Sequence, residues 1–256
     1  MKQIPNLFTL LNLFFGCIAI VCALQTESVF IYVNESLETT FNIPEKLALA
    51  SVFIGVAAVI DFLDGVVARL MNASSEMGKQ LDSLADVVSF GVAPGVILFQ
   101  LLRFSYVREE NGFDVSQLAL VPAFIVSCCA AYRLAKFNLD TEQTYYFKGL
   151  PTPAMGMLVA SFPLIIHYPS GWLNLAPLII NQWFLYAVIL ILSYLMVSNI
   201  PMMSLKFKDK SIKNNLPVLL LLHIAVISII LLKWSAVPVV FLAYILLSLV
   251  FKNKLR

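Results

Sequence analysis

The sequence predicts an all-α protein, a polytopic membrane bundle of about eight transmembrane helices. Of its 256 residues, 60% are hydrophobic and only 12% are charged, which is about half the charged fraction of an average soluble domain. Apolar stretches long enough to cross a bilayer also recur along the chain. The net charge of +2 comes from dispersed basic residues, so nucleic acid is not an expected partner.

Eight apolar segments are predicted to be the membrane helices. They cover residues of about 7–24, 47–68, 86–102, 118–135, 153–168, 177–198, 216–232 and 234–250. Only Lys233 separates the last two segments, which could therefore form a tight hairpin or one broken unit. The first segment is longer than the apolar core of a usual signal peptide, so we expect it to persist as a helix.

The distribution of Lys and Arg predicts the orientation in the membrane. If both termini are cytoplasmic, thirteen of these cations lie inside and only four lie outside, namely Lys46, Arg103, Arg108 and Lys233. The positive-inside rule favours this arrangement. We therefore expect an integral protein of the cell (inner) membrane with both termini in the cytoplasm.

Four aspartates occur in the stretch "DFLDGVVARLMNASSEMGKQLDSLAD" at the cytoplasmic edge of the predicted bundle. Asp61 and Asp64 are three residues apart on one helix, and Asp82 and Asp86 are four apart on the next, so each pair shares a helical face. The short loop between the helices allows them to pack antiparallel. The spacing therefore predicts a pocket in which four carboxylates converge.

Carboxylates held this close repel one another unless a cation lies between them. Oxygen ligands without His or Cys suit Mg²⁺ or Mn²⁺ better than zinc, and two such ions bridged by shared aspartates are used in phosphoryl transfer. A structural alternative stays open at this point. Asp82 and Asp86 could cap a helix N-terminus while the other two aspartates pair with Arg69 and Lys79.

Small residues lie beside the aspartates. Gly65 and Ala68 fall on roughly the same helical face as the first acidic pair. Gly78 gives the same access to the backbone on the second helix. They form a strip without large side chains where a ligand could contact the backbone. Close packing of helices through small residues is the alternative interpretation.

The complete pattern resembles the signature of the CDP-alcohol phosphatidyltransferases, membrane enzymes that join a CDP-linked group to an alcohol. The matching residues are Asp61, Asp64, Gly65, Ala68, Arg69, Gly78, Asp82 and Asp86 at the signature's spacing. The resemblance implies a helical membrane fold with six core helices, which is usually homodimeric and has its active site open to the cytoplasm. We accordingly expect residues 1–200 to form the family's membrane domain, with residues 201–256 adding a basic cytoplasmic loop and a C-terminal transmembrane hairpin.

The resemblance also implies roles for these positions. The four aspartates Asp61, Asp64, Asp82 and Asp86 would be the metal ligands, and Asp86 would also be the general base. The small residues Gly65, Ala68 and Gly78 would accommodate the cytidine nucleotide, with Arg69 near its phosphates.

Further blocks resemble the bacterial and archaeal phosphatidylserine synthases of this family. They read "IPNLFTLLNLFFG", "DSLADVVSFGVAPG", "YRLAKFNLD" and "FKGLPTPAMG". The resemblance implies Mg²⁺- or Mn²⁺-dependent transfer of the phosphatidyl group from CDP-diacylglycerol to L-serine, with release of CMP, among membrane lipids. The open alternatives are another acceptor (glycerol 3-phosphate, inositol phosphate or choline) or, from a different class, a cation transporter, which would carry charge near mid-membrane.

Serine is a zwitterion, so its site needs a cation for the carboxylate. The cytoplasmic segment 133–152 offers Arg133, Lys136, Asn138 and Lys148. A guanidinium can grip a carboxylate with two parallel hydrogen bonds, although cations at helix ends also serve as interfacial anchors.

On the first helix, Asn6 and Thr9 are three residues apart and could reach the nucleotide. Capping of the helix after Pro5 is the alternative for both.

Overall fold

The computed structural model describes residues 4–25, 31–33, 39–41, 45–71, 75–107, 115–139, 146–169, 173–204 and 215–251. Most of these residues are helical. The helices are α1 (Ile4–Leu24), α2 (Glu45–Leu70), α3 (Glu76–Asp86), α4 (Ala93–Val107), α5 (Gln117–Leu120), α6 (Ile125–Leu139), α7 (Thr152–His167), α8 (Ala176–Ile179), α9 (Gln182–Val197), α10 (Leu216–Leu232) and α11 (Ala236–Val250). The strands are β1 (Ile31–Val33), β2 (Thr39–Phe41), β3 (Tyr146–Lys148) and β4 (Pro201–Met203).

Membrane-compatible helices dominate the described part of the chain. Five helical segments there are long and apolar enough to cross a membrane: Pro5–Leu24, Glu45–Leu70, Glu76–Val107, Gln117–Leu139 and Leu216–Val250. Two shorter apolar helices, Thr152–His167 and Gln182–Val197, accompany them. The all-α polytopic membrane class is therefore confirmed, while the count of about eight spans stays a prediction.

The last long segment is divided at Lys233. This residue has φ of 50° and begins a short 3₁₀ turn, Lys233–Ser235, between α10 and α11. The two helices pack against each other, so the segment is a hairpin. The division of the chain into residues 1–200 and 201–256 remains a prediction.

A π-helical turn, Val87–Val92, joins α3 to α4 directly after Asp86. Such turns insert an extra residue into a helix and are frequent at functional sites. Two glycines bring neighbouring helices close to it. A Cβ added at Gly16 of α1 would lie 2.9 Å from the Cα of Ser89, and one at Gly156 of α7 would lie 3.1 Å from the Cα of Phe90. The close contacts of α1 and α7 therefore fix the position of the π-helical turn that follows Asp86.

Two short antiparallel strand pairs supplement the helices. β1 pairs with β2, and β3 pairs with β4 with Lys148 opposite Pro201. After β3 the chain turns at Gly149, whose φ of 79° favours glycine. The turn leads directly into α7, so the β3–β4 pair sets where that helix begins.

Candidate active site

Three carboxylates from two helices form the centre of the site. Asp61 of α2 and Asp82 and Asp86 of α3 each present an oxygen, and these oxygens all lie within 4.8 Å of one another. The i and i+4 positions of the two α3 residues place them on one helical face. Helix α1 packs against both α2 and α3 and so holds the two helices in register.

Asp64, the fourth predicted carboxylate, lies outside this close group in the described part of the chain. It is 7% exposed, and its Oδ2 accepts a hydrogen bond from Thr9 Oγ1 of α1. The same hydroxyl lies 3.2 Å from the backbone oxygen of Pro5, one helical turn earlier, so its single proton is shared between the two acceptors. The first helix thus determines the direction of Asp64, and a metal-ligand role for this residue stays a prediction.

A cavity of about 350 Å³ opens beside the carboxylates. The side chains and backbone that line it come from α1, from the C-terminal half of α2 and from the start of α3. They include the predicted nucleotide-site residues Asn6, Thr9, Gly65, Ala68 and Gly78, together with Pro5, Asp61, Asp64, Ser75, Lys79 and Asp82. Arg69 is exposed and does not belong to this lining set.

The small residues keep the cavity open. A Cβ added at Gly65 would meet no atom within 4 Å, so the position faces free space. A Cβ at Gly78 would lie 3.2 Å from Asn6 Oδ1. Ser75 caps α3 by accepting a hydrogen bond of 3.0 Å from the backbone nitrogen of Gly78. The capping residue Ser75 and Gly78 therefore both line the cavity at the start of α3.

Asn12 is a site residue that the sequence reasoning missed. Its Nδ2 donates to Asp86 Oδ1 at 3.3 Å, and its backbone oxygen accepts a hydrogen bond of 3.1 Å from Ser89. The side chain is fully buried. The available signal was the spacing of Asn6, Thr9 and Asn12, three residues apart on an otherwise apolar helix.

Arg133 of α6, predicted as a ligand of the acceptor, is buried in the structure. It is 6% exposed, and its Nη1 donates to Thr152 Oγ1 at 3.1 Å. The guanidinium lies within electrostatic range of Asp86. Its Nε has no hydrogen-bond partner among the residues described. This buried group retains a donor that a ligand could use.

Asn138, near the end of α6, joins that helix to α3. Its Nδ2 donates to Ser83 Oγ at 2.7 Å, and its backbone oxygen accepts from Lys79 Nζ at 2.9 Å. Lys79 therefore contacts α6, whereas the structural alternative from the sequence expected it to pair with the aspartates. Of the other two predicted acceptor residues, Lys136 donates to Asn199 Oδ1 at 2.7 Å, and Lys148 belongs to β3.

Comparison with known proteins places the chain in a family. The model of the CDP-alcohol phosphatidyltransferase family matches residues 2–193. The match covers most of the chain, including all four aspartates, and the protein therefore belongs to the CDP-alcohol phosphatidyltransferase family.

Individual relatives share one name. The CDP-diacylglycerol–serine O-phosphatidyltransferase of Mycobacterium leprae is 34% identical over 63% of this chain and 51% of the relative. The protein of that name from Saccharomyces cerevisiae is 39% identical over 61% of this chain and 52% of the relative. The protein of that name from Helicobacter pylori strain 26695 is 33% identical over 77% of this chain and 70% of the relative. The chain thus spans about half the length of the first two.

Proposed function

We propose that the protein is a phospholipid-biosynthetic transferase that moves the phosphatidyl group of CDP-diacylglycerol to the hydroxyl of L-serine. The products would be phosphatidylserine and CMP. The observation that carries the proposal is the cluster of Asp61, Asp82 and Asp86, with oxygens within 4.8 Å, of which Asp61 and Asp82 line an open cavity. The names of the relatives support serine as the acceptor.

The donor set of the cluster fits a hard divalent cation. It contains carboxylate oxygens and neither His nor Cys, which favours Mg²⁺ or Mn²⁺ over zinc. Asp61, Asp82 and Asp86 would hold the metal, with Asp64 as a fourth ligand and two ions as the expected number. Bound there, the ions would neutralise the charge of the diphosphate and of the departing nucleotide.

Asp86 is proposed as the general base. The serine oxygen would form a bond to the lipid-linked phosphorus, the bond from that phosphorus to the CMP oxygen would break, and the hydroxyl proton would pass to Asp86. Asn12 donates a hydrogen bond of 3.3 Å to Asp86 Oδ1 and thereby orients the carboxylate for this transfer. Burial of both side chains keeps bulk water away from this transfer.

The cavity beside the cluster would receive the cytidine nucleotide. Gly65, Ala68 and Gly78 supply walls without large side chains, and Asn6 and Thr9 supply polar groups from α1. Arg69 would approach the phosphates from the exposed edge of α2.

The acceptor would bind on the α6 side of the cluster. Arg133 is the proposed ligand of the serine carboxylate, because it is buried, lies in electrostatic reach of Asp86 and keeps an unused Nε donor among the described contacts. Asn138, Lys136 and Lys148 are proposed to contribute to acceptor or phosphate binding at the same end of the bundle.

The proposed setting is the cell (inner) membrane, with the aspartates and both termini on the cytoplasmic side. The excess of Lys and Arg in the segments assigned to that side supports this orientation. A homodimer is proposed from the family resemblance.

The test is release of CMP from CDP-diacylglycerol by the purified protein in detergent micelles with Mg²⁺ or Mn²⁺. We expect CMP and phosphatidylserine in equal amounts with L-serine, and little CMP with glycerol 3-phosphate, inositol phosphate or choline. Activity with one of those acceptors instead would keep the transferase class and reject serine. Absence of CMP release with every acceptor would reject the transferase itself.

A further inference from the structure

A set of buried hydrogen bonds ties α11 to β4. Tyr244 donates its hydroxyl to the backbone oxygen of Met203 at 3.1 Å. The backbone nitrogen of Met203 donates to Ser248 Oγ at 3.1 Å, and Ser248 donates back to the oxygen of Tyr244 at 2.7 Å. We call Tyr244, Ser248 and Met203 the C-terminal clasp. All three residues are buried. Their polar groups therefore need partners within the protein, and these bonds supply them.

The clasp occupies the free edge of β4. Met203 stands opposite Tyr146 in the β3–β4 pair, and a strand residue directs its backbone nitrogen and oxygen to one side. Both groups of Met203 bond to α11. The helix thus takes the place that a third strand would fill.

β4 and the residues before it hold the segment that follows β3. The backbone nitrogen of Gly149 donates to the oxygen of Ile200, and that of Leu150 donates to the oxygen of Leu195, each at 2.9 Å. A Cβ at Gly149 would lie 2.6 Å from the oxygen of Met196. The position of residues 146–150 therefore depends both on the C-terminal end of α9, which supplies Leu195 and Met196, and on β4 with the adjoining Ile200.

That segment ends at the contact to Arg133. Thr152 follows two residues after Leu150 and accepts the 3.1 Å hydrogen bond from the Arg133 guanidinium. The pairing of β4 with β3 thus connects α11 with this guanidinium.

We propose that Tyr244 and Ser248 are positioning residues for the acceptor site, acting through Thr152 and Arg133. They belong to a hairpin outside the residues 2–193 that match the family. The identity of the acceptor site rests on the proposed function, whereas the positioning of residues 146–152 does not. The hairpin would then help to position the acceptor site in addition to anchoring the chain in the membrane.

The kinetic test uses Tyr244→Phe, Ser248→Ala and the double variant in the full chain. Each single substitution removes one polar contact of Met203, and the double variant removes both, while most of the side-chain volume is kept. For the double variant we expect the KM for L-serine to rise about five- to tenfold and the KM for CDP-diacylglycerol to stay within about twofold, since one or two hydrogen bonds are lost at a distance from the nucleotide.

Matched controls carry the same substitutions at the opposite end of the bundle. Tyr186→Phe removes a hydroxyl that donates to the oxygen of Ala119 at 2.5 Å, and Ser105→Ala removes one that donates to Leu102 of its own helix at 2.7 Å. Both controls should leave the two KM values unchanged, even where they lower the melting temperature.

Hydrogen exchange of the intact protein in micelles tests the positioning without turnover. Peptides covering residues 146–152 should exchange about tenfold faster in the double variant than in wild type or the controls, because the β3–β4 pairing and the bond of the Gly149 amide to Ile200, next to β4, are weakened. Unchanged exchange there together with an unchanged serine KM would overturn the proposal. An equal rise of both KM values with exchange increased throughout the chain would also overturn it.

The proposed function can fail separately. If wild type uses another acceptor, the same comparison is made with the KM for that acceptor. If wild type releases no CMP at all, the exchange of residues 146–152 decides the positioning claim alone.

Discussion

Asn12 of α1 donates a hydrogen bond of 3.3 Å to Asp86 of α3, across 74 positions of the sequence. The amide is fully buried, and its backbone oxygen is held in turn by Ser89 in the π-helical turn. The first helix thus orients one carboxylate of the candidate cluster directly. A second contact from the same helix, Thr9 to Asp64, orients another.

Replacing Asn12 with Leu should lower the rate of CMP release about 10- to 100-fold, because a hydrogen bond to a charged group is lost at similar side-chain volume. The initial rate at saturating substrates measures this. Gln100→Leu is the matched control: Gln100 is also a buried amide and donates to the oxygen of Ala23 in α1 at 2.9 Å. It should reduce thermal stability and spare the rate. Equal rates for wild type and Asn12→Leu would remove Asn12 from the site.

Replacing Asp86 with Asn should reduce the rate by about 100- to 10,000-fold, the usual range for loss of a general base. The amide has nearly the same shape, so the variant should insert and purify like wild type. Single-turnover CMP formation is the measurement. A rate within threefold of wild type would eliminate Asp86 as the base.

Replacing Asp82 with Asn should separate stability from activity. Removal of one charge from three carboxylates within 4.8 Å relieves repulsion, so the melting temperature in EDTA should equal or exceed that of wild type. Wild type should gain stability when Mn²⁺ is added, by about 2.7 kcal/mol at a hundredfold excess over Kd, and the variant should gain much less. A variant that is less stable than wild type in EDTA would contradict a cluster built for a cation.

The central cluster was predictable because local rules place it. The i, i+4 spacing of Asp82 and Asp86 and the short connection to Asp61 suffice to bring three carboxylates together. The membrane class was predictable for a similar reason. Within a bilayer the backbone must satisfy its own hydrogen bonds, so long apolar segments become helices.

The orientation of side chains by distant helices was not predictable. Asp64 bonds to Thr9, and Asp86 to Asn12, through the packing of α1. The spacing of the polar residues on α1 marks a shared face, but it does not say which carboxylate each residue meets. The link from Tyr244 to β4 joins residues 41 positions apart on either side of a polar segment. A tyrosine in an apolar helix gives no sign of such a partner, because interfacial tyrosines are common in membrane proteins.

Replacing Arg133 with Lys should raise the KM for L-serine about tenfold with little change in the KM for CDP-diacylglycerol. Lysine keeps the charge but cannot bond to Thr152 and to a carboxylate with the fixed fork of a guanidinium. Serine saturation curves measure the effect. Arg103→Lys, at an exposed position of α4 near the opposite end of the bundle, is the control. A serine KM unchanged by Arg133→Lys would exclude Arg133 as the carboxylate ligand.

Replacing Gly65 with Leu should block the nucleotide cavity without disturbing the fold. A side chain at this position enters open space beside Asp61 and Ala68, since no atom lies within 4 Å of an added Cβ. The KM for CDP-diacylglycerol should therefore rise at least about tenfold, and CMP should bind more weakly in an equilibrium assay. Gly55→Leu is a stringent control, because Gly55 lies on the same helix and its added Cβ also meets nothing within 4 Å. That position faces an apolar cleft with Val52 and Trp234. If both leucine variants weakened CMP binding equally, the effect would belong to α2 as a whole, and the cavity beside the carboxylates would not be the nucleotide site.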